Sequence, residues 1–168
     1  MTDSDLVKFA IPCGYVLAHV LPTEREISYG YKHGWLSGPD AVAIAEFEMA
    51  AGLQLGAGAE RLALLLSDES YKVAEILSEV DAEGGNEWRV WLFLALAWLY
   101  DNRDDWEDPY QVIEMLYTDF GYPEEIASFV RFLPAPDGEV PGTRALEERW
   151  IRFINTCTDS YAGRSWKP

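Results

Sequence analysis

The sequence predicts an all-α protein in which seven to nine helices form a single compact domain around one buried helix. The first of three supporting observations is the segment from Trp88 to Tyr100, in which Arg89 is the sole charged residue. Such a run is too long for a typical strand and indicates a helix that is apolar on nearly every face. Helix start signals recur along the chain, and no alternating run of β-branched residues predicts a strand. The length of 168 residues and the 49% hydrophobic content suit one domain spanning residues 1–168.

The buried helix is expected at about residues 87–100. The 13 residues from Trp88 to Tyr100 rise roughly 20 Å as a helix, whereas a bilayer-spanning helix needs about 20 residues. A core helix is therefore predicted rather than a membrane span. Pro12 and Gly14 interrupt the apolar run near the N-terminus, so no secretory signal pattern is present and the expected location is the cytoplasm.

Five helices are predicted before the buried one, at about residues 15–21, 24–33, 38–51, 59–66 and 71–82. Thr23 and Glu26 form a capping box at the start of the second, and Ser37 followed by Pro39 is the start signal of the third. Residues 1–22 are punctuated by two prolines and a glycine, so only the one short helix is assigned there.

Three more helices are predicted after the buried one. Asp108 and Pro109 are an N-cap and first-turn pair for a helix that stops near Gly121. A short helix begins at Pro123 with apolar residues at Ile126, Phe129, Val130 and Phe132. The last spans Thr143 to about Cys157, with Glu147, Glu148, Arg149 and Arg152 on its polar face. The tail over residues 161–168 is expected to be frayed.

The net charge of −16 is concentrated in two segments. Residues 40–83 and residues 101–125 each carry a net charge of −8, and the rest of the chain sums to zero. Two acidic surfaces of this kind repel nucleic acid and anionic membrane, and they attract basic partners. Many proteins are acidic merely to stay soluble, so the charge by itself leaves both interpretations open.

No catalytic motif is found, and no cofactor or metal is expected. Cys13 and Cys157 have no neighbouring Cys or His at metal-ligand spacing, and His19 and His33 belong to no recognisable nucleophile or HExxH motif. Acidic residues at 101–108 could hold a divalent cation through oxygen ligands, but they do not follow the calcium-loop pattern. Asp108 itself is better explained as a helix cap.

An interaction surface is the favoured use of residues 101–108, here called the acidic turn. Trp106 lies within a run of five acids that is broken by Arg103. Such a surface suits a cationic protein, because the charge speeds encounter and the ring supplies buried area. The competing interpretation is that Trp106 folds back over the core. The predicted partner-binding residues are Asp101, Arg103, Asp104, Asp105, Trp106, Glu107, Glu124 and Glu125.

Two segments resemble a bacterial family catalogued as domain of unknown function twenty-two forty-seven. One comprises WLYDNRDDWEDP at residues 98–109, YTDFGYPEEI at 117–126 and SFVRFLP at 128–134. The other, SYGYKHGWL at 28–36 followed by PDAV at 39–42, is similar to the family's N-terminal helical hairpin. The resemblance extends over roughly residues 24–155. It implies no assigned reaction and no catalytic residues, and it suggests a place among the immunity proteins of bacterial polymorphic toxin systems, which neutralise a toxin by binding it.

The resemblance and the charge together predict a non-catalytic cytoplasmic protein that neutralises a basic toxin domain by direct binding. The expected partner is a basic protein, with no nucleic acid and no membrane. Two alternatives remain open at this stage. One is a metal-dependent hydrolase that uses the acidic turn, and the other is a structural subunit of a larger assembly.

Overall fold

The computed structural model describes residues 9–81, 84–139 and 141–164. These residues form eight α-helices, four 3-10 segments and no strand, which confirms the predicted all-α class. The helices are α1 (Cys13–His19), α2 (Glu24–Lys32), α3 (Gly38–Ala50), α4 (Ala57–Ala63), α5 (Val73–Ser78), α6 (Glu87–Asp101), α7 (Pro109–Asp119) and α8 (Thr143–Tyr161). The 3-10 segments are Ser67–Lys72, Arg103–Asp105, Glu124–Phe129 and Ala162–Arg164. Over the described ranges, no helix is both long enough and apolar enough to cross a membrane.

The chain divides into two compact units. The N-terminal unit contains Phe9–Leu94 together with residues 162–164, and the C-terminal unit contains Ala95–Tyr161. The division lies within α6, so this one helix supplies buried residues to both units. The single domain expected over residues 1–168 stays a prediction.

Helix α6 is the predicted buried helix, and residues 90–97 are all buried. In the N-terminal unit, the Trp91 indole Nε1 donates a hydrogen bond of 2.7 Å to the backbone oxygen of Glu26 in α2. The ring lies against Gly30, where even one methyl group would overlap the indole carbons. The glycine therefore lets a tryptophan pack directly on the α2 backbone while its N–H is satisfied.

The C-terminal unit uses a second tryptophan in the same way. Trp150 of α8 is 1% exposed, and its Nε1 donates to the backbone oxygen of Leu96 in α6 at 3.2 Å. Tyr100 and Tyr110 meet this ring edge-on, with centroid distances of 5.1 and 5.8 Å. These three packed rings connect α6, α7 and α8, and Tyr100 and Tyr110 lie next in sequence to the acidic turn.

The three helix caps predicted at Thr23, Ser37 and Asp108 are confirmed. Thr23 and Glu26 form the capping box of α2, with both reciprocal hydrogen bonds present. Ser37 and Asp108 each accept a hydrogen bond from the backbone N–H three residues later, at 3.2 and 3.3 Å. These caps satisfy N–H groups that the first helical turn leaves without an intrahelical partner.

Several predicted boundaries are wrong. The first helix is Cys13–His19 rather than 15–21, and α4 is Ala57–Ala63 rather than 59–66. The helix predicted at 71–82 is shorter, because residues 67–72 form a 3-10 segment and α5 ends at Ser78. Just beyond the end of α5, the backbone oxygen of Val80 accepts hydrogen bonds from the Ser28 hydroxyl and the Lys32 amine, both in α2. Residue 82 lies outside the described residues.

Differences also occur toward the C-terminus. The segment after Pro123 is a 3-10 helix, and its expected apolar member Phe132 lies beyond it with 59% exposure. Helix α8 continues past the predicted end to Tyr161, where threonine hydroxyls bond back to carbonyls four residues earlier without breaking the helix. Arg149, expected on its polar face, is buried and donates to the backbone oxygen of Ser128 at 2.6 Å.

The tail is ordered as far as it is described. Residues 162–164 form a 3-10 turn rather than a frayed end, and Arg164 pairs with the carboxylate of Glu26. Arg164 also donates to the backbone oxygen of Leu21 at 3.0 Å. Residues 165–168 lie outside the described residues.

Replacing Gly30 with alanine tests the packing of Trp91 on α2. The new methyl group overlaps the buried indole, so the free energy of unfolding should fall by about 1–3 kcal/mol in urea denaturation. Gly14→Ala is the matched control, because nothing lies within 4 Å of a methyl group there and stability should stay constant or rise by up to about 1 kcal/mol. Equal destabilisation by both changes would contradict the proposed packing.

Candidate functional site

The acidic turn connects α6 to α7 in the C-terminal unit, and Arg103 holds its first half. The guanidinium donates to the backbone oxygen of Tyr100 at 2.7 Å and lies over the Tyr100 ring, 4.1 Å from its centroid. That oxygen belongs to the last turn of α6, where a cation also interacts favourably with the helix dipole. The one cation within the turn is thus directed at the helix end.

The second half of the turn is held by Asp108. Its carboxylate caps α7 and pairs with Arg131 at 3.0 Å. The same guanidinium pairs with Glu114, six residues further along the chain in α7, at 2.9 Å. The assignment of Asp108 as a helix cap is therefore confirmed, and both halves of the acidic turn are held by specific contacts.

Three carboxylates of the turn remain open to solvent. Asp104, Asp105 and Glu107 are exposed, and within the described part of the chain their side chains form no hydrogen bond or ion pair. Asp101 is also exposed, whereas Trp106 is half-buried. The acidic turn is thus a loop held in place by contacts, with a negatively charged surface and the half-buried indole of Trp106 among its carboxylates.

Glu124 and Glu125 lie in the 3-10 segment after Pro123, and both are exposed. The predicted site residues therefore lie on two separate segments of the same unit. Helix α7 connects these segments along the chain. Whether any of these residues contacts a partner stays a prediction.

An exposed aromatic cluster near Glu124 was missed by the sequence analysis. Tyr117 of α7 meets Tyr122 and Phe132 edge-on, with centroid distances of 5.4 and 6.1 Å. Tyr122 and Phe132 are 62% and 59% exposed, although large aromatic rings are normally covered. Aromatic side chains of this kind are enriched at protein–protein interfaces.

Tyr122 also has an unusual backbone conformation. Gly121 ends α7 with a φ of 78°, and the N–H of Tyr122 donates to the backbone oxygen of Tyr117 at 2.8 Å, as in a Schellman cap. That cap requires a left-handed residue only at the glycine, yet Tyr122 also has a positive φ of 61°. A non-glycine residue in this region is disfavoured by about 1–2 kcal/mol. The contact between Tyr122 and Tyr117 is the hydrophobic contact that often accompanies such a cap.

The described residues include no group of three or more His, Cys, Asp or Glu side chains placed to hold a metal ion. Cys13 and Cys157 are free thiols. Burial, and to a smaller extent the charge of Glu125, raises the pKa of Cys157 to about 11. This thiol is therefore protonated at neutral pH and is a poor nucleophile.

A second feature absent from the sequence analysis lies in the N-terminal unit. Glu48 is 4% exposed and occupies the buried stripe of α3 that also contains Ala41, Ile44 and Ala45. It lines a cavity of about 340 Å³, whose other lining residues are Leu21, Pro22, Thr23, Glu24, Leu53, Gln54, Leu55, Gly56, Ala59 and Arg164. Burial raises the pKa of Glu48 to about 7, opposed by the charge of Arg164 and reinforced by that of Glu26.

Comparison with protein families gives one result. The family described as uncharacterized proteins conserved in bacteria (DUF2247) matches residues 14–157, which is most of the chain. The chain belongs to this family. The matched range of this DUF2247 protein includes the acidic turn, the aromatic cluster and Glu48, but not Arg164. Searches of curated proteins and of solved structures found no match.

Titration of Glu48 predicts an unusual pH dependence of stability. Since its folded pKa of about 7 lies above the ordinary value of 4.5, the folded state keeps a proton that the unfolded state has lost. The free energy of unfolding should therefore fall as pH rises through this window, by about 2 kcal/mol between pH 5.5 and 8. Glu48→Gln removes this contribution, so the variant should gain that amount relative to wild type over the same range.

Urea denaturation at several pH values measures the difference. Glu46→Gln is the matched control, because Glu46 is an exposed carboxylate on the same helix and its loss should leave the wild-type pH profile nearly unchanged. A constant offset between Glu48→Gln and wild type across this pH range would contradict the raised pKa.

Proposed function

We propose that this protein is a non-catalytic binding protein that neutralises a basic toxin domain by direct contact. The observation that carries the proposal is the set of three solvent-exposed carboxylates, Asp104, Asp105 and Glu107, which lack intramolecular cationic partners within the described residues. A basic partner would supply the missing positive charge. Such complementarity raises association rates and excludes partners of the wrong charge.

The rigidity of the acidic turn supports this use. Arg103 and Asp108 fix its two halves, so binding would require little additional ordering of the loop. A surface organised before binding loses less conformational entropy when the complex forms. An acidic loop of fixed geometry is also suited to occupy a basic cleft that normally holds nucleic acid phosphates.

The aromatic cluster supplies what charge by itself does not provide. Tyr117, Tyr122 and Phe132 offer apolar area for burial, and aromatic residues contribute a large share of interface energy. The acidic turn precedes α7 and the cluster lies near its end. The nine helical positions from Asp108 to Tyr117 correspond to about 14 Å. This distance lies within the width of a standard patch of about 800 Å² per partner, and we propose that one partner contacts both features.

Proteins encoded next to this chain are the first partners to test. The immobilised chain should retain a basic neighbouring protein at low salt and release it at high salt, because exposed charges are screened within about 10 Å at 0.1 M salt. Co-expression should then relieve the toxicity of that neighbour. Retention of an acidic protein, or binding without relief of toxicity, would contradict the proposal.

Charge reversal tests the acidic turn directly. Asp104→Lys combined with Asp105→Lys should slow association with the captured partner by about 10-fold or more at low salt in surface plasmon resonance. Asp68→Lys combined with Glu75→Lys is the control, since it makes the same change in net charge at exposed acids of the N-terminal unit. If the two double variants slow association equally, net charge and not the acidic turn governs binding.

Tyr122→Gly separates binding from stability at the aromatic cluster. Glycine accepts the positive φ without strain, so stability should change by less than about 1 kcal/mol despite the lost contact with Tyr117. Affinity for the partner should fall by about 10-fold or more because an aromatic anchor is removed. Tyr71→Ala removes an even more exposed ring from the N-terminal unit and should leave affinity unchanged. Unaltered affinity of the Tyr122 variant would exclude the cluster from the interface.

A further inference from the structure

The carboxyl group of Glu48 lines a cavity and forms no hydrogen bond within the described part of the chain. Glu48 is 4% exposed. It is not among the described residues that have a fully enclosed side-chain oxygen without a hydrogen-bond partner, so its carboxyl oxygens are accessible from the cavity that it lines. Carboxylates that are largely removed from water are normally paired. This carboxyl group is therefore open to a partner that enters the cavity.

The neighbouring charged groups are already engaged. Glu26 accepts hydrogen bonds from the backbone N–H of Thr23 and from Arg164. Glu24 accepts from the backbone N–H of Ala59 at 2.9 Å. Arg164 donates hydrogen bonds to Glu26 and to the backbone oxygen of Leu21, while its charge acts on Glu48 to lower the pKa of that carboxyl group.

The charge balance favours a cationic occupant. Three carboxylates, those of Glu24, Glu26 and Glu48, lie at or beside the cavity, and Arg164 is the cation among its lining residues. An anion would meet repulsion from the surplus negative charge. The remaining wall is largely aliphatic, with Leu21, Leu53 and Leu55 among its members. The occupant should thus combine a positive group with a short apolar portion.

We propose that this cavity binds a guanidinium group on a short aliphatic stem, with Glu48 as its carboxylate acceptor. The planar guanidinium can donate two parallel hydrogen bonds to one carboxylate, and it is less strongly hydrated than an ammonium group and therefore easier to bury. The stem would lie against the leucine side chains. A cavity of about 340 Å³ is at the small end of ligand sites, which suits a group of this size. The site lies in the N-terminal unit and does not depend on the proposed toxin-binding surface.

Binding should depend on pH. Glu48 must be ionised to accept both hydrogen bonds, and Glu24, Glu26 and Arg164 are the charged groups that face it. With a pKa of about 7, the ionised fraction rises about 10-fold between pH 6 and 8, and the apparent affinity should rise by the same factor. Each binding event at neutral pH should also release part of a proton.

Calorimetric and NMR titration with n-butylguanidinium tests the site, with n-pentanol as a neutral probe of similar size. We expect saturable binding of the cation with shifts at residues 48 and 53–56, and much weaker binding of the alcohol. Glu48→Gln should weaken cation binding by at least about 10-fold and abolish its pH dependence, whereas Glu46→Gln on the same helix should change it by less than about 2-fold. Equal binding of both probes, equal effects of both variants, or no saturation at millimolar concentration would each overturn the proposal.

A second titration distinguishes the source of the guanidinium. N-acetyl-arginine methylamide presents the group as a protein side chain does. If it binds at least as tightly as n-butylguanidinium, the occupant is an arginine side chain of a protein. If the blocked amino acid is rejected while n-butylguanidinium binds, the cavity takes a small free guanidine. Either result supports the site, and rejection of both compounds contradicts it.

Discussion

The burial of helix α6 is the constraint on which the rest of the structure depends. A helix that is apolar on nearly every face must be covered along its whole length, and each end meets this demand with a tryptophan. Trp91 reaches across to the α2 backbone, which is possible because Gly30 has no side chain, and Trp150 reaches back from α8 to Leu96. In both cases the indole N–H bonds to a backbone oxygen, so the large ring is buried without leaving a polar group unsatisfied.

A scarcity of cations shapes the surface. Nine arginines and four lysines face 29 acidic residues, and several arginines hold backbone or caps in place. Arg103 stabilises the end of α6, Arg131 joins Asp108 to Glu114, and Arg149 bonds to the 3-10 segment. Exposed carboxylates without a cationic partner, such as those of Glu46 and Asp68, also occur in the described part of the N-terminal unit. The acidic turn differs because Arg103 and Asp108 hold its two halves in place, which is why we propose a function for that loop rather than for acidity in general.

The sequence predicted the helices well where local chemistry determines them. Three helix starts depend on groups within four residues of one another: the α2 capping box, the Ser37 cap and the Asp108–Pro109 pair. They can therefore be predicted without knowledge of tertiary contacts. Predictions failed where distant contacts decide. The predicted helix at 71–82 ends early, and the carbonyl oxygen of Val80 instead accepts hydrogen bonds from α2 side chains. Arg164 pairs with Glu26, which lies far away in sequence. The burial of Glu48 and the exposure of Phe132 were likewise not predicted, because helical periodicity alone does not identify a buried carboxylate or an exposed ring.

The most direct test of the proposed function is hydrogen exchange of the chain alone and in complex with its captured basic partner. The proposal predicts slower exchange on binding at residues 101–107 and 117–132, with little change at residues 59–80, which are also acidic. Protection confined to residues 59–80, or spread evenly over the chain, would contradict the assignment of the acidic turn and the aromatic cluster as the binding surface.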